Sequence, residues 1–162
     1  MDLFEYIKFL FSYDMWANLK VISAVQTLNE QELSYSLGNG YVSPIGTLAH
    51  MVSSQNIWLS RWTRAPQLEL NLQDLDDIKA AALMLNEGIL NFINELGAEG
   101  LQNTFEYERM GARYTGRYFT TMLQVVNHGT YHRGELSALL THLEHSFGDI
   151  DLIHYARQQQ FV

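Results

Sequence analysis

At 162 residues the chain can bury one sizeable core and is too short for two ordinary domains, so residues 1–162 are read as a single domain. Eighteen acidic residues against ten basic ones give a net charge of -8, which repels phosphate backbones and anionic lipid at long range and argues against nucleic acid or a membrane as partner. Cysteine is absent, which excludes disulfides, thiolate metal sites and cysteine nucleophiles.

The N-terminal stretch MDLFEYIKFLFSYD mixes acids with apolar residues and has no basic leader, so a signal peptide is not expected. No apolar run reaches membrane-spanning length, and the expected location is the cytoplasm. Asp2 followed by Glu5 reads as an N-cap with its third-position partner. Leu3, Ile7, Leu10, Ala17 and Val21 then recur at helical spacing, predicting a first helix to about Leu28. A loop, LGNGYVS, follows. Ser43 and Pro44 read as a cap and a first-turn proline, opening a second helix, PIGTLAHMVSSQNIWLSRW, that closes before Pro66.

Asp74 caps a third helix in which Leu75, Ile78, Ala82, Leu85, Ile89, Phe92 and Leu96 keep an apolar face until Gly97 stops it. The character then changes: Phe105, Tyr107 and Arg109 alternate, Gly111 follows, and Tyr114 and Tyr118 lie beyond, which predicts a short hairpin. Helical spacing returns from about Thr120 to about His145, Gly148 terminates it, and DIDLIHYARQQQF makes a short last helix. Four long helices and a lone hairpin imply an all-α bundle of simple up-and-down connectivity, because two strands cannot cover a helix layer.

On the fourth helix, Thr121, Val125, His128, His132, Leu136, Leu139 and Leu143 share one stripe, with Arg133 and Glu144 outside it. Two imidazoles are thereby expected to point inward, each needing a hydrogen bond, a charged partner or a metal. Residues four apart on one helix face can reach a single ion. His50 borders the core side of the second helix, near Met51, Ile57, Trp58 and Trp62, and can converge with the pair if the two helices are neighbours; alone it reads as a rim histidine bonded to a carbonyl sooner than as a ligand. HGTYH places Gly129 where a zincin needs its glutamate, and no glutamate stands three residues before a histidine as di-iron bundles require. Glu135, three residues after His132, reads as an acceptor for a ligand ring, as a general base, or as a surface glutamate. His142, His145 and His154 lie at helix ends or on polar faces and are given no ligand role. Trp16 and Trp62 read as packing residues, and Trp58, two turns from His50, as a wall of the site. Arg61, Arg113, Arg117 and Arg133 are candidates for holding an anionic substrate or cofactor, each weighed against an ordinary solvated charge.

Four segments, YDMWANLKVI, LAHMVSSQNIWL, NHGTYHRGEL and DLIHYARQQ, stand in the order and spacing of the DinB/YfiT-like metalloenzymes, which the chain resembles over nearly its whole length. The most specific element is one histidine on the second helix and an H-x-x-x-H-R-G pair on the fourth; Trp16 and Asn18 add weaker support. The resemblance implies an up-down-down-up four-helix bundle with the hairpin in a crossover between the third and fourth helices. It implies one divalent cation on His50, His128 and His132, and often a homodimer, which the large number of aromatic side chains also favours. It further implies a thiol-cofactor-dependent transferase or isomerase, or a hydrolase, acting on a small-molecule substrate with a low-molecular-weight thiol. Nickel, zinc, manganese and iron all suit imidazole ligands. Glu135 departs from the glutamine common at that place in the family. The alternative is a non-catalytic dimeric bundle that binds a metal or ligand; a structural ion normally takes four protein ligands, and three are identified.

Overall fold

The helix starts follow the caps written in the sequence. Asp2 Oδ1 accepts from the Glu5 N–H at 2.9 Å, Ser43 Oγ from the Gly46 N–H at 3.3 Å, and Asp74 Oδ1 from the Asp77 N–H at 2.8 Å. The computed structural model describes residues 1–38 and 42–161, so positions 39–41 of the expected loop lie outside the described residues. Its elements are α1 (Leu3–Val25), α2 (Glu30–Leu33), α3 (Pro44–Thr63), α4 (Leu75–Gly100), β1 (Thr104–Arg109), β2 (Ala112–Arg117), α5 (Tyr118–His142) and α6 (Leu152–Gln158).

Several boundaries differ from the spacing-based expectation. α1 ends at Val25 rather than Leu28, because Thr27 and Leu28 bond to carbonyls three residues back in a tighter turn. α2 was not anticipated; its single turn is held by a capping box between Asn29 and Glu32 and is too short to show a period. Gly97 breaks the helical backbone as expected, with φ 67°, and a last turn to Gly100 follows. α5 starts two residues early and stops at His142, with Glu144 at φ 62° turning the chain away.

α1 packs against α4 and α5, and α3 packs against the same two helices. Gln26 beyond the end of α1 bonds Asp76 at the start of α4, so these run antiparallel. Trp62 at the end of α3 stacks on Phe92 in the second half of α4 and donates from Nε1 to Thr121 at the start of α5. The directions are therefore up, down, down, up for α1, α3, α4 and α5. Residues 64–74 carry the chain back along the bundle between the parallel helices α3 and α4. The hairpin occupies the crossover from α4 to α5, which lie diagonally across the bundle. Met110 and Gly111 both have positive φ, as a tight two-residue turn requires, and β1 and β2 pair with Thr104 opposite Arg117. Buried Phe105 plugs the hairpin into the bundle end, stacking on Tyr118.

Apolar packing forms two main clusters. One gathers Val21, Ile22, Leu48, Leu85, Leu136 and Leu140; the other gathers Phe11, Trp62, Ile89, Ile93, Met122 and Val125. Between them lies a buried polar layer of Asp14, Asn18, Gln55 and Arg133. Arg133 Nη1 donates to both Asp14 Oδ1 and Asn18 Oδ1, and the amides of Asn18 and Gln55 donate to Asp14 Oδ2 at 3.1 and 3.3 Å. This corrects the placement of Arg133 off the core-facing stripe: it is 1% exposed and ion-paired. Gly129 makes room for the pair, since a Cβ there would lie 2.5 Å from Asp14 Oδ1. The aromatic side chains largely pack on one another. Phe9, Tyr13 and Trp16 surround Tyr155 and hold α6 to α1.

Candidate metal centre

His50 comes from the second turn of α3, and His128 and His132 from successive turns of α5. The two helices are packed neighbours, so the three rings meet at their seam. His128 Nε2 lies 3.2 Å from His50 Nε2 and 3.1 Å from His132 Nε2, and all three ligand atoms fall within 4.8 Å of one another. Two nitrogens bound at 2.0–2.1 Å to one tetrahedral ion stand roughly 3.3 Å apart, so the spacing fits a shared cation. The rings are less buried than the stripe suggested: His128 and His132 are half-buried and His50 is exposed. They line a cleft edge rather than the core, because the inner side of α5 at this level is occupied by Gly129 and Arg133.

Glu135 Oε2 lies 2.6 Å from His132 Nδ1. That contact places the ring proton on Nδ1 and leaves the Nε2 lone pair aimed at the other rings. His128 Nε2 could donate to one neighbour at most, so hydrogen bonding alone leaves lone pairs facing each other. A cation satisfies all three at once.

His128 and His50 are also biased toward the neutral form. Burial, reinforced by the neighbouring His132 and His50, lowers the His128 pKa to about 4, and burial followed by His132 lowers that of His50. Unfolded histidine titrates near about 6.5, so between these limits the unfolded chain binds a proton that folded His128 refuses. The contribution is nil above the upper limit and becomes a loss of stability as pH falls through the window. In urea titrations of metal-free protein from pH ~6.5 to ~4, wild type should lose stability relative to His128→Gln. A constant difference between the two proteins would contradict this.

The remaining histidines have other partners: His142 Nε2 lies 2.9 Å from Tyr35 Oη, His145 Nε2 3.5 Å from Glu32 Oε1 and His154 Nε2 2.7 Å from Asp149 Oδ2. Of the four arginines singled out, Arg113 pairs with Glu108, Arg117 bonds to Gln102 and Arg133 is buried in the polar layer. Arg61 alone among them faces a cleft of about 590 Å³ that begins at His50 and His128 and is walled by Trp58. Sequence reasoning missed Arg109, which reaches the same cleft from β1. Its alternation with Phe105 and Tyr107 revealed a strand, but not that the strand folds over the end of α3.

A family model described as the DinB family matches residues 4–160. Among curated proteins, Protein DinB of Bacillus subtilis is 23% identical over 143 residues, covering 81% of this chain and 82% of that protein. The solved structure of YfiT from Bacillus subtilis superposes with a TM-score of 0.68 at 12% identity, covering 85% of this chain and 87% of the other. YfiT is described as a probable metal-dependent hydrolase with an unusual four-helix bundle topology. A DinB-like protein from Bacillus cereus gives a TM-score of 0.62 at 16% identity, covering 87% of this chain and 94% of that one.

Proposed function

The chain belongs to the DinB family, and on that footing we propose that it is a metal-dependent enzyme in which His50, His128 and His132 hold one divalent cation beside the α3–α5 cleft. The observation that carries the reading is the convergence of three Nε2 atoms with the His132 tautomer already set by Glu135. Three histidine ligands would leave a bound cation its full charge, and the chemistry it would supply there is Lewis acidity toward water or a small thiol at neutral pH.

The chain's own groups then have separable tasks. Glu135 contacts the ring edge opposite the ligand nitrogens, so it acts as a positioning residue through His132 rather than as a base on substrate. Glu135→Ala should weaken metal affinity about 10- to 100-fold, while Glu135→Gln should retain most of it because an amide oxygen still accepts from Nδ1–H. Equal affinities for the alanine variant and wild type, measured by competition with a chelating dye, would remove Glu135 from the site. Trp58 and Tyr107 line the cleft and shield bound substrate from water. The chain brings no thiol of its own, so thiol transfer would require a low-molecular-weight thiol as co-substrate.

The test is turnover of metal-loaded against metal-free protein. Nickel, zinc, manganese and iron would each be tried on activated esters and amides, and on electrophiles offered with low-molecular-weight thiols. Turnover confined to loaded protein and lost in His132→Ala supports the reading. Equal turnover without metal would remove the ion from the chemistry, and none with any ion would leave the bundle as a metal-binding module.

A further inference from the structure

The cleft extends well beyond the histidines. From His50 and His128 it follows α3 to Trp58 and Arg61, where β1 closes it with Tyr107 and Arg109. The Arg61 guanidinium rests against two rings that also pack on each other, 4.8 Å from the centroid of Trp58 and 4.9 Å from that of Tyr107. Nη2 donates to the Glu108 carbonyl at 3.3 Å, tying the hairpin to α3. Arg61 is therefore half-buried and fixed in direction, unlike a mobile surface cation.

Neither Arg61 nor Arg109 is ion-paired with a carboxylate among the described residues. Arg113, by contrast, pairs with Glu108, and Arg133 with Asp14. The two guanidiniums are also close enough for Arg109, after burial, to help lower the Arg61 pKa. In a protein of net charge -8, two cations sharing one concave surface without a counter-charge make a local positive field that an anion would relieve. A long arginine side chain leans back over the turn before it, here over Trp58, eight residues along α3 from His50. At 1.5 Å per residue that separates the guanidinium from the histidine centre by roughly 12 Å.

We propose that the far end of the cleft is a carboxylate subsite, in which Arg61 and Arg109 hold the acid group of an elongated organic acid whose reacting end lies at the three histidines. A fixed guanidinium offers paired N–H donors in the plane that a carboxylate matches, and Arg109 adds charge from the opposite wall. The aromatic pair beside Arg61 suits the apolar body of such a molecule. The assignment of the reacting end rests on the metal reading above; that of the acid end does not.

Two probes separate the ends. Suberic acid monohydroxamate carries a metal-binding group at one end and a carboxylate at the other, while octanohydroxamate lacks only the acid. On nickel-loaded full-length protein, the first should bind at least about tenfold more tightly by calorimetry. Arg61→Gln should abolish that advantage and Arg109→Gln should reduce it, with octanohydroxamate affinity unchanged in both. On metal-free protein, suberate should shift the Trp58 indole N–H resonance in wild type and not in Arg61→Gln. Equal affinity for the two hydroxamates on loaded protein would overturn the subsite, as would an indole signal indifferent to suberate. If the protein takes up no metal and suberate still moves that signal in an Arg61-dependent way, the subsite stands and the metal reading falls.

Discussion

Asp14→Ala should lower the unfolding free energy by about 3–5 kcal/mol, among the largest losses available to a single change in this chain. The cause is the charge left behind. Arg133 is 1% exposed, and without Asp14 its guanidinium keeps Asn18 Oδ1 at 2.7 Å, Thr130 Oγ1 at 3.0 Å and the face of the Tyr13 ring, none of them a carboxylate. Among the described residues Nε has no hydrogen-bond partner either. Removing both ions together should cost far less, because Asp14→Leu with Arg133→Met replaces a desolvated pair by apolar volume. Urea denaturation of the single and double variants checks both statements. A single-variant loss under about 1 kcal/mol would mean that water reaches the layer.

His128→Ala should eliminate stoichiometric binding of a divalent cation, whereas His142→Ala and His145→Ala should leave one equivalent in place. His128 is the ring in the middle, with its Nε2 at 3.2 and 3.1 Å from the other two, so its loss leaves two donors on different helices and no chelate between neighbouring turns of α5. His142, the last residue of α5, stacks on Tyr35, and His145, just beyond the helix, lies against Glu32, so both have other neighbours than the triad. Elemental analysis after chelation, reloading with nickel or zinc, and desalting reads the stoichiometry directly. Equal uptake by His128→Ala and wild type would exclude the triad.

Much of this was legible in the residues. The caps at Asp2, Ser43 and Asp74 placed three helix starts, and the four-residue interval between His128 and His132 placed two rings on one face. The direction of that face was less legible. A helical wheel assumes one apolar partner, but α5 packs against α1 on one side and α3 on another. The arc facing α1 admits Arg133 because it carries a matching acid, 119 positions away in sequence. The only local hints were Asp14 and Asn18 on α1, polar residues at spacings the apolar stripe should fill, and Gly129 between the histidines. Gly129 served to exclude a zincin; its packing role needs the partner helix to be seen. Arg109 escaped for a similar reason, since its approach to Arg61 depends on how the hairpin folds back and not on any interval along the chain.

The buried layer between the two apolar clusters also decides how far α5 can slide along α1. Where facing stripes are wholly apolar, moving one helix by a turn, about 5.4 Å, exchanges one aliphatic contact for another at little cost. Here the same movement would carry Arg133 away from Asp14 and into the neighbourhood of Val21 or Phe11, stranding two charges. His132 is covalently next to Arg133, so whatever arrests the slide also sets the height of both α5 imidazoles opposite His50. The ion pair thus works as an indexing pin: it touches none of the three histidine rings, yet it gauges the spacing between their Nε2 atoms.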